Sequence, residues 1–97
     1  MVNSAEVLQI NNSNIIQIGD QNRNLTVSLI CTKVEEKDES SAVQLLQKTF
    51  PRGTKVKIRP YGMKNKNLSA KVFKVSDQME MSQILITNHL ATNICQS

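Results

Sequence analysis

The chain has no tryptophan, one histidine, two cysteines, two prolines and three glycines among its 97 residues. Each scarcity removes a class of explanation. Phe50, Tyr61 and Phe73 are its only aromatic residues, so aliphatic side chains must fill a modest core; aromatics bring the largest burial per residue. Three glycines leave no room for a phosphate loop or a Gly-rich dinucleotide fingerprint. Cys31 and Cys95 are widely spaced and, with His89 as the sole histidine, suggest neither a disulfide framework nor a metal site. Reduced thiols in a cytoplasmic protein are the expectation. The opening residues do not read as a leader. No apolar run approaches the ~20 residues of a membrane span.

A Cys31–His89 nucleophile pair is the one catalytic arrangement the composition offers, and nothing around either residue supports it. The chain is expected to be non-catalytic, with no cofactor and no metal. Its length suits one domain and not two.

What is present is unevenly distributed. Residues 1–32 carry only Glu6, Asp20 and Arg23 as charges, residues 33–39 mix both signs, and residues 48–74 hold nine Lys and Arg without one acid. A nearly neutral end, a charged hinge and a basic body suggest regions with different tasks. The expected organisation is a β-assembly segment over residues 1–32, a linker over 33–41, and a small basic α+β region over 42–97.

Short aliphatic runs bounded by Asn, Ser, Gly and Asp mark strands and turns in the first third. Leu8-Gln9-Ile10, Ile16-Gln17-Ile18 and Leu25-Thr26-Val27 repeat an apolar–polar–apolar pattern, which suggests three β-arcs of similar length. Further on, Ser40 or Ser41 is placed to cap a helix carrying Val43, Leu45, Leu46 and Phe50 and stopped at Pro51. Thr54–Arg59 alternates Lys with aliphatics as a half-buried strand does, Pro60-Tyr61-Gly62 reads as a turn, and Leu68–Val75 reads as a second strand. Residues 79–91 fit a helix or a strand. The fold class expected is therefore α+β, small and strand-rich: an amyloid-capable N-terminal β-arc segment followed by a basic strand–helix–strand region.

The stretch around Ile15–Gly19 has chemistry suited to self-association. Ile16 and Ile18 project from one strand face and Gln17 from the other. Stacked in register, the isoleucines would interdigitate while Gln17 and its Asn neighbours formed amide ladders between copies. Gly19 would allow a bend into an arc. No charge lies between Ile15 and Gly19, so identical copies would not repel there.

These residues, with Asn12-Ser13-Asn14 before them and Asp20-Gln21-Asn22 after, resemble the RIP homotypic interaction motif (RHIM). Ile16-Gln17-Ile18-Gly19 matches its core tetrad, and Asn22 with Leu25-Thr26 is similar to its downstream segment. It is also similar to the cryptic form of that motif in insect immune receptors and to amyloid signalling motifs of fungi and bacteria. The resemblance covers about 20 residues and implies a cytoplasmic adaptor or inhibitor in innate immune or cell-death signalling. Such a protein would assemble in a cross-β manner with itself and with other carriers of the motif. Asn12, Asn14, Ile15, Ile16, Gln17, Ile18, Gly19, Asp20, Asn22, Leu25 and Val27 would form that assembly site.

Other readings compete. The same isoleucines would serve as an ordinary buried strand between Asn-rich turns. Residues 41–91 would serve as a small α+β fold docking one partner. Finally, Arg52, Lys55, Lys57, Arg59, Lys64 and Lys66 would serve as a phosphate-binding surface for nucleic acid, with salt-dependent affinity. Against that last reading, alternating Lys on an exposed edge strand also guards against unwanted pairing.

Overall fold

The computed structural model describes residues 2–95. Five strands close into a barrel in the order β1 (Val2–Ile10), β2 (Ile15–Asp20), β3 (Arg23–Leu29), β6 (Asn67–Lys74), β5 (Lys55–Lys64). The pairs β1–β2, β2–β3, β5–β6 and β1–β5 are antiparallel, and β3–β6 is parallel, Val27 to Leu29 lying beside Leu68 to Ala70. Helix α1 (Glu39–Thr49) crosses from the third barrel strand to the fourth, α2 (Met81–Thr87) follows the fifth, and β4 (Thr32–Lys33) pairs with β7 (Thr92–Asn93) outside the barrel. A meander of three strands, a helical crossover and a hairpin that returns parallel to the third strand make a Greek-key barrel of the OB type.

The expected architecture is thereby corrected. Among the described residues there is no N-terminal arc segment set apart from a strand–helix–strand region: β1, β2 and β3 are three staves of the barrel, and β5 and β6 are the other two. The physical reason lies in the alternation of aliphatics in both halves. Ile16, Ile18 and Val27 from the first half and Val56, Ile58, Ala70 and Val72 from the second are all 2% exposed or less. Rolling the two together buries both faces and pairs every strand on two sides, where separate sheets would leave bare edges.

The stretch at 33–41 is a short crossover, with a 3-10 turn at Glu36–Asp38 running into α1. The helix begins one or two residues before the expected serines. Its N-cap is Asp38, which makes no side-chain cap hydrogen bond. Glu39 reaches back instead to the β1–β2 turn, accepting hydrogen bonds from the Ser13 N–H (2.8 Å) and from the Ser13 hydroxyl. Ala42, Leu46 and Phe50 dock the helix and are inaccessible to solvent. Two other expectations change locally. Pro60-Tyr61-Gly62 is not a turn but part of β5, where the register with β6 slips between Pro60 and Gly62 and leaves Tyr61 as a bulge. Residues 79–91 contain a helix, anchored by Met81, Ile84 and Leu85.

Cys31 and Cys95 form a disulfide with 4.9 Å between their Cα atoms, which corrects the expectation of reduced thiols. The bond fastens the β3–β4 turn to the segment after β7. Among the described residues, no helix is long and apolar enough to cross a membrane.

Candidate nucleic-acid interface

The two sets of residues singled out from the sequence meet different fates. Ile16 and Ile18 have no solvent exposure and face the barrel interior. Gly19 does not bend the chain. It lies within β2 opposite Glu6, and its missing side chain makes room for Leu8, whose Cδ2 would stand 3.1 Å from a Cβ there. The amide contacts expected between copies are made inside one chain. Gln17 Oε1 accepts from Asn11 Nδ2 (3.1 Å) and Thr26 Oγ1 (3.0 Å), and its amide nitrogen donates to Asn24. Asn12 Oδ1 accepts from the N–H groups of Asn14 and Ile15, both at 2.8 Å, in an Asx turn. Asn14 donates to the Leu29 carbonyl (2.8 Å) and accepts from the Ser28 hydroxyl (2.9 Å).

Ile15 pairs with Ser28 and Leu25 with Ile18 across β2–β3, and Val27 is buried opposite Ile16. Asp20 is buried and holds Arg23 at 3.3 Å across the hairpin turn. Gln21 and Asn22 occupy that turn with φ of 51° and 68°, the left-handed pair that a two-residue hairpin of type I′ requires.

The basic residues stay outside. Along β5, Val56 and Ile58 point inward while Lys55, Lys57 and Arg59 alternate with them on the outer face. Lys57 faces Phe73 and Arg59 faces Lys71 across the ladder with β6. Tyr61, 52% exposed, lies near two of these cations: Arg59 Cζ and Lys71 Nζ are each 5.9 Å from its ring centroid, within cation–π range. Lys64 ends β5, and Asn65 and Lys66 form its turn to β6 with φ of 52° and 71°, a second tip of the same left-handed kind.

The six predicted cations therefore divide. Lys57, Arg59, Lys64 and Lys66 share the hairpin. Lys55 is drawn toward β1 by Glu6 (3.8 Å), and Arg52, in the turn before β5, donates to the Leu8 carbonyl (3.3 Å). Arg23, outside the basic run of residues 48–74, is brought to the same end of the barrel as Lys66; both line one cleft. Lys71, part of the same basic run, faces Arg59 through the β5–β6 register.

The catalytic pairing weighed above is not formed, because Cys31 is joined to Cys95 and has no thiol. His89 is exposed just after α2, with φ of 61°. No group of three or more His, Cys, Asp or Glu among the described residues is placed to hold a metal ion. No protein-family model matches the chain, and no curated protein is detectably similar to it. The class is thus defined by topology and surface alone: a small OB-type barrel with a basic, aromatic-bearing hairpin.

Proposed function

We propose that this protein is a non-catalytic module that binds nucleic acid through the outer face of β5 and β6. The observation that carries this reading is Arg59 set directly opposite Lys71, with Tyr61 in reach of both, on a hairpin without an acid. Like charges facing each other across a ladder weaken it. An anionic partner offsets that cost, and phosphates spaced along a backbone suit a row of cations running from Lys57 to the hairpin tip. Protection of a bare edge does not account for Lys55 and Lys57, because β5 is flanked over Lys55–Ile58 by both β1 and β6; beyond Ile58 it pairs with β6 alone. OB-type barrels commonly carry oligonucleotides, a fold-level analogy that agrees with the surface without replacing it.

Homotypic cross-β assembly through Ile16–Gly19 has no comparable support in the folded state, where both edges of β2 are already paired. The Cys31–Cys95 bond favours an oxidising environment over the cytoplasm.

Substituting Lys71→Glu tests the proposal. A carboxylate placed opposite Arg59 should hold or slightly raise stability, by about 0.2–1 kcal/mol, while affinity for a short DNA strand in low salt falls at least tenfold. Binding that does not change between low and high salt, or that survives this reversal, would defeat the reading.

A further inference from the structure

The two hairpin tips enclose something the outer face does not. Between the β2–β3 turn and the β5–β6 hairpin lies a cleft of about 450 Å³, within the size range of small-ligand sites. Most of its lining is apolar, and Leu25, Ile58, Pro60, Met63 and Leu68 are among the residues that form it. The cleft exists because the parallel ladder between β3 and β6 starts only at Val27 and Leu68. Before those residues the two hairpins run on without pairing to each other, and the space between their tips stays open. Arg23 stands on one tip and Lys66 on the other, so each side of the opening carries one cation. The buried Asp20 carboxylate steadies Arg23 at 3.3 Å. Asn24 and Thr26 also line it along β3, with their side chains bonded to Gln17.

We infer that this cleft receives one unpaired base of a single-stranded nucleic acid, whose flanking phosphates are held by Arg23 and Lys66. The inference rests on the nucleic-acid reading above and adds to it a choice of strand. A largely apolar slot with a cation at each side, its one lining acid, Asp20, tied to Arg23, fits a flat heteroaromatic ring between two phosphates. It does not fit a duplex, whose bases are stacked and paired and reach such a slot only by leaving the helix. The strand would then continue from Lys66 onto the row formed by Lys64, Arg59 and Lys57. Met63, 68% exposed at the mouth, is the side chain against which the base would lie.

The experiment compares three fluorescently labelled probes of equal length at low salt by anisotropy: oligothymidylate, the corresponding A·T duplex, and an abasic strand with the same phosphates. The wild-type protein should bind oligothymidylate about tenfold more tightly than the abasic strand, which buries no base in the apolar cleft, and more tightly than the duplex. Met63→Ala, at a position too exposed to hold the fold, should bring oligothymidylate down to the abasic level with an unchanged melting midpoint. Equal affinity for all three probes would overturn the cleft inference and leave the basic face standing. Failure to bind any of them would overturn both.

Discussion

Ile16 of β2 lies directly opposite Val27 of β3, and solvent reaches neither side chain. That pairing assigns the most suggestive stretch of the chain to the barrel's own core. Removing it should be costly. Ile16→Ala deletes buried methyl and methylene groups where neighbours on both flanking strands prevent full collapse, so a loss of about 2–5 kcal/mol is expected. Urea unfolding, read as a lower midpoint at unchanged slope, measures it.

A chain beginning at residue 33 should not fold. It would keep β5, β6 and both α-helices but lose three of the five barrel strands, leaving Val56, Ile58, Ala70 and Val72 without their covering layer. Circular dichroism on heating should show no cooperative transition for this fragment and a sharp one for the whole chain.

Reduction should lower stability without abolishing the fold. The Cys31–Cys95 bond closes a sequence separation of 64 residues, which a chain-entropy account converts to about 4 kcal/mol. The two-residue ladder between β4 and β7 is too short to replace it. A thermal melt with and without dithiothreitol should show a clearly lower midpoint when reduced. The double variant Cys31→Ser, Cys95→Ser should melt near that lower midpoint and ignore the reductant.

Local pattern in the sequence went a long way. Alternation across Ile16-Gln17-Ile18 marked a strand with one buried face. Val43, Leu46 and Phe50 marked the face of α1, and the Asp20–Asn24 cluster marked a turn. What stayed hidden was the partner of each element. Side-chain amides bond equally well to a copy of the chain or to a neighbour within it, so Gln17 and its asparagines read as ladders between molecules when they serve Thr26, Asn24 and Asn11. Parallel pairing of β3 with β6 leaves no mark in either strand, because the α1 crossover and all of β5 lie between them. Without that pairing, nothing links Arg23 to Lys66 or Cys31 to Cys95. The bulge at Tyr61 was likewise obscured, since Pro60 and Gly62 are the residues a turn would use.

The closure of the barrel has a consequence for the protein while it is being made. β1, β2 and β3 leave the ribosome first as a neutral, aliphatic, amide-rich meander, and the strands that will occupy its two outer borders, β5 and β6, follow only after the α1 crossover. At ordinary rates of synthesis this interval lasts seconds. During it the borders of the meander that β5 and β6 will cover are open to pairing with neighbouring polypeptides. Conditions that lengthen the delay, such as slow translation or crowded polysomes, should therefore harm yield more than heating the finished molecule does.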